Sequence, residues 1–472
     1  MFMMVFLLVI AFPVVGLVFD ATMLYLVKAR LQGSADGAAL AGARALARGA
    51  NSTAQIQAAQ DTATSYIKLN YQTGFFFTSA PNIPTPTVNS SVANQRSVSV
   101  TVSSIFPGVF LASLTGPTTV TATATATRRD VNVVIAMDRS GSLAASGSCA
   151  PLKAAAVNFV NQFAPGRDNV GLVSFASSTH TDFAIANTFQ TASPNVVTMI
   201  NNITCAGSTS TAEGLWRSYE QLIALNQPGA LNVLLLFTDG QPTGVTFDMP
   251  VANGSPCTQY TAGSPTGADA YTMPGAGKGY LRGVYNTFTN VNQFFGALDP
   301  AGNTNGDLVP APNSANCTFM NNWAYDGGVH NMTATSDFLG VPAKDIYGNS
   351  TNPTPAYQTV SLNSNGFIDL ANANNAAAMA LNAADSAAVR IRNGATDPVS
   401  GNSLSNVITY SIGLGNAAIP ASPVFLQRVS NDPSSPIYDN TKPAGKYIFA
   451  ANASDLQSAF TAVASDILRL SR

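Results

Sequence analysis

The chain has 472 residues, of which 46% are apolar and only 10% charged, with a formal net charge of −2. That length accommodates more than one domain, and the near-neutral balance without a basic cluster lacks the electrostatic footprint of a nucleic-acid partner. Only two histidines are present, His180 and His330, and neither lies in a nucleophile motif such as G-x-S-x-G; phosphate-loop and dinucleotide fingerprints are absent as well. The chain reads as a binding protein and not an enzyme.

Residues 1–19 carry no charge, and after Asp20 the apolar run resumes as far as Val27, before Lys28 and Arg30. A stretch of about 20 residues is long enough for a membrane helix. No basic segment precedes it and no small-residue cleavage site directly follows, so residues 1–27 are expected to form a retained single-pass anchor and not a signal peptide. Asp20 is expected near the interface, where its cost is modest.

Residues 28–128 read as an Ala-rich helix followed by a small α+β module. Small residues at Ala35, Ala38, Ala39 and Gly42 follow helical spacing and allow close helix-to-helix approach. Arg96 to Ser103 and Thr118 to Thr127 have strand composition, with a small helix expected in the apolar stretch Ile105 to Leu114 between them. Arg128-Arg129-Asp130 marks the boundary to a larger domain over 129–472.

That domain begins with a buried-strand pattern, Val131 to Met137, ending in Asp138-Arg-Ser140-Gly-Ser142. One carboxylate and two hydroxyls at alternate positions suit a hard divalent cation and leave coordination positions open, although Asp and Ser are also ordinary turn residues. Thr209 stands in a loop opening a helix over Thr211 to Leu225, and a second apolar strand from Leu231 ends at Asp239. In an open parallel sheet, loops at the carboxyl ends of strands meet at one crevice, so these segments are expected to reach one ion. Leu152 to Phe163, Ala376 to Arg392 and Leu456 to Leu470 read as helices, and Val170 to Ala176 and Val407 to Ile412 as strands. The alternation gives the α/β class, with a doubly wound, mostly parallel sheet. Glu213 is the one carboxylate near the motif able to act as a base, and its helix position is expected to face solvent.

Residues 243–366 form a large insertion rich in Asn, Gly, Pro, Thr and Ser. A structureless loop of that length is uncommon inside a domain. Its aromatic residues (Tyr271, Tyr280, Tyr285, Phe288, Phe294, Phe295 and Trp323) favour partial order. Following the Asp239 loop, its base should stand beside the metal face, either as a surface elaboration or as a ligand-contacting cap. The four cysteines, Cys149, Cys205, Cys257 and Cys317, fit loops in an oxidising compartment. Three pairings are open; the favoured one joins Cys149 to Cys205, stapling the loops of Ser142 and Thr209, and Cys257 to Cys317.

The D-x-S-x-S string, the loop threonine and the T-D-G aspartate resemble the von Willebrand factor A domain family, whose Rossmann-like sheet carries a metal-ion-dependent adhesion site. The resemblance covers about 129–242 and 367–472. It implies Asp138, Ser140, Ser142, Thr209 and Asp239 as ligands of a divalent cation, Mg²⁺ first, with Mn²⁺ or Ca²⁺ as alternatives. A partner's carboxylate would complete the coordination. The N-terminal helix with Gln32, Ala35, Asp36, Ala38, Ala39, Leu40, Ala41, Gly42 and Ala43 resembles TadE/TadG-like proteins of the tight-adherence (Flp) pilus system. This implies a bacterial inner-membrane or cell-surface protein; the 10% charged residues, the heavy use of Thr, Ser, Asn and Gly and the cysteines in loops point to an extracytoplasmic C-terminal domain. Two functions are open: an assembly factor or minor pilin-like component of a Flp-type pilus, or a surface adhesin for an external host or matrix ligand.

Overall fold

The computed structural model describes residues 2–49, 51–110, 116–177, 179–250, 280–286, 293–295, 341–362, 368, 373–415, 417 and 420–471. The chain divides into two compact units: residues 1–130 with 164–167 and 468–472, and residues 131–163 with 168–467.

In the first unit, helices α1 (Phe2–Ala45) and α2 (Ser52–Asn70) pack on a three-stranded antiparallel sheet of β1 (Thr87–Asn89), β2 (Gln95–Phe106) and β3 (Thr118–Arg129). Ala35, Ala38, Ala39 and Ala43 of α1 share one core with Ala59, Ala63 and Ile67 of α2 and with Val98, Val100 and Val102. The small-residue stripe thus brings the two helices together, as its spacing predicts. The strands exceed their expected length, pairing from Gln95↔Arg129 to Phe106↔Thr118. They absorb Ile105 and Phe106, and residues 107–110 are not helical, so the small helix expected over Ile105 to Leu114 is not found there; 111–115 lie outside the described residues. Alternation along β2 buries Val98, Val100 and Val102. Asn51 caps α2 by accepting a hydrogen bond from the N–H of Ala54 at 2.9 Å. Asp20 is buried, its carboxylate oxygens accepting backbone N–H groups from Val109 and Phe110. Among the described residues no helix is long and apolar enough to cross a membrane.

The second unit is built on a six-stranded sheet. Its elements are β4 (Val131–Asp138), the short α3 (Gly141–Ala145), α4 (Cys149–Val160), β5 (Asn169–Phe175), β6 (Thr179–Ala186), α5 (Val196–Asn202), α6 (Thr211–Leu225) and β7 (Leu231–Thr238). Beyond the insertion follow α7 (Ala373–Arg392), β11 (Ile408–Leu414), α8 (Pro423–Ser430), β12 (Lys446–Ala450) and α9 (Leu456–Leu470). The strand order is β12-β11-β7-β4-β5-β6, parallel except for β6, which pairs antiparallel with β5 at the edge. β4 and β7 are buried along their whole length, which explains why both read as near-continuous apolar runs, broken only by Asn132 and Asn232 before their polar ends. The chain runs from β4 outward to β5 and later to β7 on the opposite side, so the order reverses beside the carboxyl end of β4.

The described part of the insertion includes a three-stranded antiparallel sheet of β8 (Gly244–Pro250), β9 (Tyr280–Asn286) and β10 (Gln293–Phe295). Its return limb enters the core: Tyr347 is buried and stacks on Trp216 with ring centroids 6.0 Å apart, and the Arg390 guanidinium lies 4.1 Å over the same indole. Cys257, Cys317, Tyr271, Phe288, Trp323 and His330 lie outside the described residues.

Candidate metal centre

β4 and β7 are neighbours in register, Met137 opposite Phe237, so Asp138 and Thr238 end their strands side by side. The Thr238 hydroxyl donates to Asp138 Oδ2 at 2.6 Å, and the N–H of Ser140 donates to Asp138 Oδ1 at 2.8 Å. Ser140 Oγ lies 3.0 Å from Ser142 Oγ, and Ser142 Oγ donates to Asp239 Oδ1 at 2.8 Å. Four of the five residues singled out from the sequence are therefore joined directly. Asp138, Ser140 and Asp239 are all buried.

Among the described residues Thr209 makes no direct hydrogen bond to the other four, but the loop that carries it is tied to the Arg139–Gly141 turn. Gly141 donates its N–H to the carbonyl of Gly207 at 2.9 Å, and Ala206 donates to the carbonyl of Arg139 at 2.7 Å. Gly207 has φ +93°, and a Cβ there would meet Ser177 Oγ at 2.9 Å, so both its conformation and its surroundings call for glycine. The disulfide Cys149–Cys205 ties the start of α4 to this loop, as the placement of the two cysteines suggested. From the other side, Thr209 donates its N–H to Thr243 Oγ1 at 3.0 Å, and its carbonyl accepts the N–H groups of Thr243 and Gly244 at 2.9 and 3.1 Å. The first residues of the insertion thus stand against the Thr209 loop.

The electrostatics suit a cation. Burial, then the charge of Asp239, pushes the Asp138 carboxyl up to about 7. Burial also raises Asp239, against the opposing pull of the Ser142 hydroxyl. Asp239 Oδ2 is buried without a hydrogen-bond partner, a costly state for a carboxylate oxygen. Among the described residues no group of three or more His, Cys, Asp or Glu side chains is placed to hold a metal. The oxygens gathered here come from two carboxylates and from hydroxyls, the donor set of hard divalent ions.

Glu213 corrects the sequence reading. It does not face solvent: it is buried, accepting hydrogen bonds from Thr179 at 3.1 Å and Thr246 at 2.7 Å. Burial raises its pKa despite those hydroxyls. It links β6, α6 and β8 as a structural acid. His180 Nδ1 sits 3.2 Å from Asp182 Oδ1. Two residues were missed. Thr238 could have been found from its place immediately before Asp239 at the strand end. Thr243, after Pro242, reads as an ordinary turn residue, and only the fold brings it to Thr209.

Comparison with known proteins finds two family matches. The von Willebrand factor type A domain matches residues 132–255, and the Flp pilus-assembly TadE/G-like family matches residues 1–45. No curated protein sequence matches the chain. Among solved structures, the chain is similar to the PilB minor pilin from Streptococcus sanguinis, with 13% identity, 84% of this chain and 80% of that chain covered, and a TM-score of 0.36. It is also similar to the von Willebrand domain of the type V pili tip protein Mfa5 from Porphyromonas gingivalis, with 14% identity, coverage of 74% and 98%, and a TM-score of 0.31. The pilus adhesin SpaC from Lactobacillus rhamnosus GG matches at 14% identity over 83% of this chain and 34% of that chain, with a TM-score of 0.35. The chain carries a von Willebrand factor type A domain over 132–255 and a TadE/G-like Flp pilus-assembly segment over 1–45.

Proposed function

We propose that the chain is a membrane-anchored, extracytoplasmic component of a Flp/Tad-type pilus, an assembly factor or minor pilin-like subunit, that binds a protein partner through a divalent cation. The TadE/G-like segment supports the pilus setting, and the uncharged run over 1–19 supports the anchor. The observation that carries the binding reading is the bare, buried Oδ2 of Asp239 within the chain of hydrogen bonds from Ser140 through Ser142 to Asp239.

Asp138, Ser140, Ser142, Thr209 and Asp239 would hold the ion, Mg²⁺ first, with an open position for a carboxylate of the partner. When bound, the ion supplies charge that two buried carboxylates lack and a coordination site for an anionic ligand. The chain's own residues do the rest. Thr238 and the Ser140 N–H orient Asp138, Ser142 orients Asp239, and the Cys149–Cys205 bridge and Thr243 hold the Thr209 loop in place. We read this arrangement as a binding centre, and Glu213 beside it is committed to Thr179 and Thr246.

The test is affinity capture of pilus subunits by the full chain in Mg²⁺ and in EDTA. Capture that is lost in EDTA and in Asp138→Ala supports the reading. Metal-dependent binding to foreign surfaces with no pilus subunit retained would instead favour an adhesin with an external ligand.

A further inference from the structure

Asp20 is the first charged residue of the chain, and its surroundings suggest a second point of attachment to the lipid. Its Oδ1 accepts the N–H of Val109 at 3.1 Å and its Oδ2 the N–H of Phe110 at 3.0 Å. The β2–β3 connection is thereby pinned to α1 at the point where the uncharged run ends. The contact is close. The Phe19 and Phe110 rings meet edge to face at 5.4 Å, and a Cβ on Gly16 would come within 2.7 Å of Phe110 Cβ.

Pinning the loop does not bury it. Val109 remains 46% exposed and Phe110 51%, beside the exposed Val15, Val18 and Phe19 of the helix. A buried carboxylate holding an apolar tip in an exposed position is a poor arrangement in water. It suits a tip that enters an apolar medium, where the carboxylate needs the two N–H donors. The order of residues along α1 identifies that medium. Tyr25, widely exposed, lies about 8 Å beyond Asp20, and the exposed Lys28 and Arg30 about 12–15 Å beyond it, at about 1.5 Å per residue. Apolar residues, then an aromatic, then cations is the sequence of layers at a bilayer surface. The β2–β3 hairpin itself carries no charge from 97 to 127.

We propose that the tip at Val109 and Phe110, clipped to α1 by Asp20, is a second membrane contact, seated at the acyl-chain boundary of a phospholipid bilayer beside the helix. This rests on the anchor reading of α1. It adds that the first unit is fixed to the surface at two points and cannot swivel freely about a single helix.

The test places one tryptophan at a time in the full-length chain, at Phe110, at Val18 in the anchor and at the exposed Val92, which lies at the far end of the hairpin where Gln95 pairs with Arg129. Emission, corrected for the native tryptophans, is read in phosphatidylcholine–phosphatidylglycerol vesicles whose acyl chains are brominated. The expected result is strong quenching for Phe110→Trp, approaching that of Val18→Trp, with Val92→Trp unaffected. Adding Asp20→Ala should release the tip, cutting the Phe110→Trp quenching at least twofold while Val18→Trp keeps its own. Quenching at Val18 alone would overturn the second contact and leave the anchor standing. No quenching at either position would remove both. A blue-shifted but unquenched Phe110→Trp would overturn the membrane contact, the tip then being covered by protein and not lipid, and quenching at Phe110 that ignores Asp20→Ala would overturn the clip.

Discussion

Replacing Cys149 and Cys205 together with serine tests how far the Thr209 loop depends on its staple. The bridge joins residues 56 apart in sequence. Closing a loop of that length restricts the unfolded chain by about 4 kcal/mol at 25 °C on the chain-entropy account. At roughly 2–3 °C per kcal/mol for a large unit, the double variant should melt about 10 °C lower. The folded loop loses less, because the Gly141–Gly207 and Ala206–Arg139 backbone hydrogen bonds remain. Cation affinity should therefore fall by no more than about tenfold, equivalent to about 1.4 kcal/mol. Urea unfolding and calorimetric Mg²⁺ titration of wild type and variant would measure both. A stability loss below about 1 kcal/mol, or complete loss of cation binding with stability intact, would refute the reasoning.

Three other outcomes follow from the same structure. With Asp138 raised to about 7 against an ordinary 3.8, the folded state keeps a proton that the unfolded chain has lost. Metal-free stability should thus fall as pH rises from about 4 to 7, by up to about 4 kcal/mol from this group. Urea midpoints in EDTA at pH 5 and 8 should show the fall, and Asp138→Asn should flatten it. Thr243→Val removes the acceptor for the Thr209 N–H, at a cost of about 1–3 kcal/mol. Mg²⁺ titration should show weaker binding, beyond what a melting-temperature change of that size explains. Asp385→Ala strands the buried Arg428, which donates to both carboxylate oxygens at 2.8 and 2.5 Å. Denaturant unfolding should register a loss of about 3–5 kcal/mol, with cation affinity in the folded protein unchanged.

The centre was legible in the sequence because its parts lie at the ends of strands so apolar that their place in the sheet is unambiguous. Asp138 follows Val131–Met137 directly and Asp239 follows Leu231–Thr238, so two adjacent strand ends bring the two carboxylates together. The Cys149–Cys205 pair was legible for the same reason, since each cysteine lies within a few residues of a motif residue. Glu213 was misread because α6 was expected to leave that position to solvent. The helix buries Thr211, Ala212, Glu213, Trp216 and Ser218 along with Leu215, Tyr219 and Leu222, since the sheet covers one side and α7 with the insertion's limbs the other. The edge strand β6, with its mixed burial, and the short α5 carry too weak a period to be read. The contacts of Asp20 with Val109 and Phe110, and of Thr209 with Thr243, join residues 34 to 90 positions apart. No local pattern announces them.

The central claim is that the residues around Asp138 and Asp239 hold a divalent cation, and a thermal melt of the full-length chain in detergent tests it most directly. Wild type, Asp138→Ala and Asp239→Asn would be compared in EDTA and in millimolar Mg²⁺ or Mn²⁺. The account predicts a rise for wild type worth about 2.7 kcal/mol when the ion stands at a hundred times its Kd, and none for either variant. Equal melting temperatures with and without the ion in all three proteins would contradict it.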